Sequence, residues 1–306
     1  MSRILLPPSH FTVLALLIGS GITSGSAAIS YGTVGGLYTE GFDGLPTILP
    51  SNANIQAASG SYTNPYVNGW QDDTTTVDGD RIGVPGWYLY HTLDPGPENG
   101  ANDHQRVRVG PGANTGSFWI FGATAASPEK ALGSLGSATV AGNGENMYIA
   151  LRLVNGTAMT LNEFTLTFDG EQWRDGQSAS PETMGFGYSL SATAADWFST
   201  GAFTSVAAGN VTSPVFGGTG TAGTAVDGNA AGRIPDITVN VTGIAWAPGS
   251  DLWLRWGDPQ LASLADDGLA IDNVRFVAVP VPEPAMAPLL AAAAAAGLRR
   301  RRPLRR

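Results

Sequence analysis

The chain of 306 residues contains no cysteine. That excludes disulfides and thiolate metal sites, so an exported domain of this length must be held by its core alone. Histidine occurs three times, at His10, His91 and His104, and His10 falls in an N-terminal segment that reads as processed, which leaves too few for a histidine-based zinc site. Lysine occurs once, at Lys130. The interior shows no helical period and no internal repeat. It has no phosphate-binding loop, no dinucleotide fingerprint, no Gly-x-Ser-x-Gly elbow and no His-Glu-x-x-His helix. The sequence therefore marks no nucleotide, acyl-transfer or zinc-hydrolase chemistry, and the expectation is a protein without a catalytic site.

What is abundant is acid and glycine. The whole chain carries 16 basic and 25 acidic residues. Setting aside Arg3, the six arginines of the C-terminal tail and Glu283 leaves 9 basic against 24 acidic, a net of −15. Such a surface repels nucleic acid and anionic lipid, and suits solubility outside a cell and contact with divalent cations. The 41 glycines, with many Thr, Ser and Asn, predict short strands punctuated by turns.

Both ends read as processing segments. In residues 1–28, Arg3 supplies a small positive start, Phe11 to Ile22 an apolar run, and Ser26, Ala27 and Ala28 the small residues of a secretory cleavage site. At the other end, residues 281–306 open with Val281, Pro282, Glu283 and Pro284, where two prolines preclude a continuing strand or helix interior. Ala285 to Leu298 is apolar; as a helix these residues would span roughly 21 Å, short of a hydrocarbon core of about 30 Å. Arg299, Arg300, Arg301, Arg302, Arg305 and Arg306 follow, a cluster that favours the cytoplasmic face. This order of triplet, short hydrophobic helix and terminal arginines resembles the PEP-CTERM sorting signal of Gram-negative bacteria. The resemblance implies export through the secretory translocon, transient anchoring in the inner membrane, and handling by an exosortase-type membrane protease that delivers the protein to the outer surface or extracellular matrix.

Between the ends, residues 29–280 read as strands. Large apolar residues alternate in Tyr148 to Val154 and in Leu161 to Phe168, and Asn155-Gly156 between them is a hairpin cue. Further strands are expected over 36–42, 87–91, 105–109, 117–121, 130–135, 185–190, 237–241, 252–256 and 269–276, with 201–233 an extended loop or edge region. About a dozen short strands predict an all-β fold, a jelly-roll or concanavalin-like β-sandwich. The run Asp169 to Gly176, placed between two strands, together with Ala131 to Leu135 and Leu269 to Val274, resembles an uncharacterised bacterial extracellular sandwich module. That resemblance implies a lectin-like sandwich and no established activity.

Candidate sites fall in three places. Glu171, Trp173, Arg174 and Asp175 combine carboxylates with an aromatic face, the elements of a carbohydrate contact and, with an acid and a base, of glycoside hydrolysis. The order Asp169-x-Glu171-x-x-x-Asp175 departs from the Glu-x-Asp-x-x-Glu strand of laminarinase-like sandwich glycosidases. The plainer expectation is Trp173 in the core and Arg174 paired with Glu171 or with a neighbouring strand. Asp72, Asp73, Asp78 and Asp80 form an acidic loop suited to calcium, although an EF-hand reading fails at Ile82 and Leu89. Asp258, Asp266, Asp267 and Asp272 form a second calcium candidate beside the last strand. Eight tryptophans, at 70, 87, 119, 173, 197, 246, 253 and 256, would stack on sugars if exposed; Trp253 and Trp256, three apart, face opposite sides of one strand. The expectation is an exported cell-surface or exopolymer-associated interaction protein, with carbohydrate binding assisted by calcium as the alternative, and extracellular polysaccharide rather than nucleic acid as partner.

Overall fold

Period two decides which side of each strand enters the core. In the strand from Asn146 to Asn155, Met147, Ile149, Leu151 and Leu153 all point one way into the main core. Tyr148, Ala150 and Arg152 point the other way. The structure is a computed structural model, and it describes residues 28–45, 84–91, 107–112, 116–138, 140–141, 146–199, 203–218, 223–261 and 265–280. The 1–27 part of the expected signal peptide, the acidic loop of Asp72 to Asp80, Trp70 and the 281–306 tail lie outside the described residues. Among those described, no helix is long and apolar enough to cross a membrane.

The described chain is an all-β sandwich. Its strands are β1 (Ile29–Tyr31), β2 (Tyr38–Glu40), β3 (Trp87–Tyr90), β4 (Val107–Gly110), β5 (Ser117–Phe121), β6 (Ala131–Leu135), β7 (Asn146–Asn155), β8 (Leu161–Asp175), β9 (Thr183–Ser189), β10 (Thr204–Ser205), β11 (Val211–Thr212), β12 (Thr224–Ala225), β13 (Arg233–Trp246), β14 (Asp251–Pro259) and β15 (Gly268–Val279). The first sheet has seven strands in the order β1-β7-β14-β9-β10, with β3 also on β7 and β11 also on β9. The second has eight, β12-β8-β15-β6-β5-β4, with β13 also on β8 and β2 also on β15. From β7 through β9, and again from β13 through β15, successive long strands change sheet, which is the winding of a jelly roll.

That winding corrects one expectation. Asn155-Gly156 does not turn a hairpin, because β7 pairs with β14 while β8 lies in the other sheet beside β13 and β15. Asn155 instead anchors the crossover: its Nδ2 donates to the carbonyls of Met159 (2.9 Å) and Trp246 (2.8 Å). A second correction concerns Asp169 to Gly176, expected between strands. Asp169–Asp175 is the second half of β8, and Gly170 sits mid-strand with Ile237 and Val211 pressed against its bare Cα.

Each sheet also carries a small apolar cluster on its outer face. On the first, Tyr88, Tyr148, Ala150 and Trp253 are covered by Ala192 and Trp197; Trp197 and Trp253 stack at 5.7 Å and 4°. On the second, Trp119, Phe121 and Trp173 stack in a row, with Phe121 and Trp173 at 6.2 Å and 1°. The opposite-face expectation for Trp253 and Trp256 holds, since Trp256 lies in the main core. All seven described tryptophans are buried, so none offers a stacking face. The ends of the sandwich sequence are clasped: Tyr31 Oη donates to Gly36 O (2.6 Å) and accepts from Ala278 N (2.8 Å).

Candidate functional site

Glu171 and Trp173 share a face of β8, the outer face, and Asp272 reaches the same face from β15, where it pairs with Asp169. Glu129, just before β6, closes the group from the side. One carboxylate oxygen from each of Glu129, Glu171 and Asp272 lies within 4.8 Å of the others. Glu171 is 1% exposed and Asp272 2%.

Each carboxylate has one oxygen held and one free. Trp173 Nε1 donates to Glu171 Oε2 (2.8 Å), Asn273 Nδ2 to Asp272 Oδ2 (2.7 Å), and Asn229 Nδ2 to Glu129 Oε2. Glu171 Oε1, Asp272 Oδ1 and Glu129 Oε1 are buried without a hydrogen-bond partner. Donors that fix one oxygen and leave the other aimed inward are what a ligand sphere needs.

Bulges build this arrangement. β15 shifts register between Asp272 and Arg275, and β13 between Ile234 and Ile237. Asn273 and Asp236, at φ of 50° and 52°, occupy those bulges. They bring Asn273 Nδ2 (3.0 Å) and Asp236 N (2.8 Å) onto Asp169, which also takes Arg233 Nη2 at 2.8 Å. Burial pushes Asp169 up, but the Asp236 amide, Arg233 and Asn273 outweigh it and hold its carboxyl below the usual range. Glu171 and Asp272 lack such support. Burial first, with the carboxylates of Glu129 and Asp169 adding to it, raises Glu171 to about 8 and Asp272 to about 7.

Three hard oxygens in an acidic enclosure without nitrogen or sulfur ligands fit calcium and do not fit zinc or copper. Of the calcium residues expected from sequence, Asp272 is here. Asp258, Asp266 and Asp267 are not; they lie between the sheets with Glu182. Position was readable in part, because Asp267 and Asp272 are five apart and so face opposite sides of a strand. Glu129 and Glu182 sit far off in sequence, and nothing local marks them.

The expected carbohydrate contact needs correcting. Glu171, Trp173, Arg174 and Asp175 are all buried and present no surface to a sugar. Arg174 does not pair with Glu171; its Nη1 donates to Asp266 O at 3.0 Å, in the segment leading into β15. Glu171 and Asp175 have separate partners: Trp173 Nε1 donates to Glu171 Oε2 and Gln177 N to Asp175 Oδ1.

A cleft of about 280 Å³ opens instead on the outer face of the first sheet. Gly185 and Gly187 of β9 and Gly257 of β14 form its floor, Gly257 opposite Gly185. Tyr148 and Phe203 wall it, and Asn146, Asn210 and Ser205 line it. Arg255 spans the walls, its guanidinium 4.2 Å over Tyr148 and 3.7 Å over Phe203, and its Nη1 donates to Trp197 O (2.7 Å) and Ser199 O (2.8 Å). Among the described residues the lining contains no carboxylate.

No family model matches the chain, and no curated protein matches it. Among solved structures, the enzymatically active domain of tailspike protein 4 from bacteriophage CBA120 is similar at 10% identity and a TM-score of 0.29, over 63% of this chain and only 19% of the tailspike chain. The CBM22-1 xylan-binding domain from Paenibacillus barcinonensis aligns at 10% identity, TM-score 0.26, over 55% of this chain and 83% of that domain. The K1 cleaved adhesin domain of Lys-gingipain from Porphyromonas gingivalis W83 aligns at 14% identity, TM-score 0.29, over 79% and 98%. Scores this low transfer neither ligand nor site residues.

Proposed function

We propose that the chain is an exported, non-catalytic interaction module that binds extended polysaccharide on the outer face of its first sheet. Calcium at Glu129, Glu171 and Asp272 stiffens the fold. The glycine-floored cleft carries this reading. The open backbone at Gly185 lets a flat ring approach, while the free side of Phe203 and the side-chain amides of Asn146 and Asn210 offer apolar contact and hydrogen bonds, the usual means of holding a sugar. The described lining, which holds amides, a hydroxyl and a guanidinium but no carboxylate, supports binding rather than glycoside hydrolysis. Export and sorting rest on the two ends of the sequence, with the translocon and an exosortase-type protease as partners. Full-length protein retained in the cytoplasm would sink that part.

The test is a glycan array with the purified full chain in calcium and again in EDTA, alongside Gly185→Leu and Phe203→Ala. A Cβ at Gly185 meets nothing nearer than Gly257 O at 4.0 Å, so leucine fills the cleft without a backbone clash. Binding should vanish in Gly185→Leu and fall about tenfold in Phe203→Ala, the equivalent of roughly 1.4 kcal/mol. Wild type that binds no glycan in either buffer, or Gly185→Leu that binds as wild type does, overturns the polysaccharide reading.

A further inference from the structure

At the end of the sandwich remote from Tyr31, the space between the sheets is closed by acid rather than by apolar side chains. Asp258 near the end of β14 has the inward parity of Leu254 and Trp256, and Glu182 has that of Met184 and Phe186. Asp267 likewise continues the inward row of Leu269 and Ile271. Asp258, Glu182, Asp266 and Asp267 are 0%, 3%, 3% and 1% exposed, and Gln260 beside them 4%.

As in the first group, one oxygen of each carboxylate is held. Ser134 Oγ donates to Asp258 Oδ2 (2.6 Å), Asp267 N to Glu182 Oε2 (2.7 Å), Gly176 N to Asp267 Oδ1 (2.7 Å) and Leu261 N to Asp266 Oδ1 (3.1 Å). The second oxygen of all four has no hydrogen-bond partner, and neither has Gln260 Oε1. Gln260 Nε2 donates to Leu261 O at 2.6 Å, which fixes the amide's orientation. The packing is tight: a Cβ on Gly136 would collide with the Asp266 carboxylate, and one on Gly176 with the Ala265 carbonyl.

Protons alone do not satisfy this group. Glu182 and Asp258 approach closely enough to share one. Ser213 lies within hydrogen-bond reach of Asp267; Asp266 and Gln260 are then still unanswered, and an amide oxygen gains no proton at ordinary pH. Arg174 is the cation facing the group, one guanidinium against four carboxylates. Buried acceptor oxygens that outnumber the donors facing them call for positive charge that binds oxygen.

We propose that Asp258, Glu182, Gln260, Asp266 and Asp267 form a second calcium site between the sheets, separate from the Glu129 group on the outer face. The donors are all oxygen, and calcium accepts six to eight of them in irregular geometry, whereas magnesium keeps several waters that an enclosed plug does not favour. Asp258 and Glu182 belong to the first sheet, and Asp266 and Asp267 lead into the second. Among the described residues only the Glu129 group has three carboxylate oxygens within 4.8 Å of one another. No three of the carboxylates proposed here stand that close, so ligation requires their side chains to turn toward the ion, which then links the two sheets. Asp258 follows Gly257, so the ion also steadies the cleft floor.

Native mass spectrometry of the purified full chain counts the ions, with calcium alone as the probe and EDTA as the blank. Wild type should carry two, and Glu171→Gln and Asp258→Asn one each. Two ions in wild type with one surviving in Glu171→Gln supports the second site even if Asp258→Asn fails to fold. Wild type with a single ion that Glu171→Gln removes, or Asp258→Asn with an unchanged count, overturns it and leaves the plug as proton-sharing carboxyls. An unchanged count in Glu171→Gln with one ion lost in Asp258→Asn would instead reject the outer site and keep this one.

Discussion

Raising the pH of the calcium-free protein should destabilise it, the reverse of what salt-bridged carboxylates do. Glu171 is moved from an ordinary 4.5 to about 8, and Asp272 from 3.8 to about 7. At about 1.36 kcal/mol per pH unit of displacement, Glu171 alone favours its protonated form by roughly 4–5 kcal/mol. The two groups share neighbours and do not add, so about 4 kcal/mol serves for the pair. Because the folded-state values lie above the unfolded ones, the stability is fully present below about pH 4 and is lost as pH rises through 7 to 8. For a domain of this size the loss corresponds to roughly 8–16 °C in Tm between about pH 4 and pH 8.5 in EDTA. Calcium at a hundred times its Kd should restore about 2.7 kcal/mol at pH 8.5, and less at pH 5, where protons compete for the same oxygens. The Glu182 and Asp258 carboxyls act with the same sign, so Glu171→Gln isolates the outer site. In EDTA at pH 8.5 the variant should melt higher than wild type, and it should gain less from calcium. Melts followed by circular dichroism read both. A wild-type Tm that is flat from pH 4 to 8.5 in EDTA, or a Glu171→Gln variant that melts below wild type there, would refute the reasoning.

Asn273→Ala should cost about 1–3 kcal/mol in urea unfolding and more than Asn273→Gly, because alanine loses both carboxylate contacts and is strained at φ 50° while glycine is not. Arg233→Ala should cost about 1 kcal/mol at neutral pH, and the penalty should shrink only as the pH falls below the unfolded-state value of Asp169 and through its lower folded-state value, since a depressed carboxylate contributes stability only while ionised. Trp197→Ala should cost about 3–5 kcal/mol by uncovering Trp253 and Tyr88, with Trp197→Phe milder; equal costs would deny the stack its role.

How far the sequence could be read depended on the range of each interaction. Period-two alternation in β7 and the start of β8 is local, and so those strands were legible, as were the opposite faces of Trp253 and Trp256. The partner of β7 was not, because Asn155-Gly156 looks the same at a hairpin and at a crossover between sheets. The length of β8 was hidden by Gly170, a turn residue by composition that sits mid-strand because Ile237 and Val211 need its space. The acid-rich last segment pointed to cation chemistry, but it read as one site. Strand parity divides it in two, and each half is completed by a glutamate from a distant strand or loop, Glu129 or Glu182. The cleft floor, three glycines from two strands, exists only once β9 lies beside β14.

The clasp between Tyr31 and Ala278 has a mechanical consequence. β1 and the end of β15 leave the sandwich at one pole, so a pull applied between residues 29 and 280 never passes through the body of the domain. It meets the three residues of β1 on β7 and the two bonds at Tyr31 Oη, and peels them one at a time. The domain is thus a pendant rather than a link in series. With β15 twelve residues long, the cleft and the acid plug ride toward the free pole, on the order of 40 Å from the point of suspension.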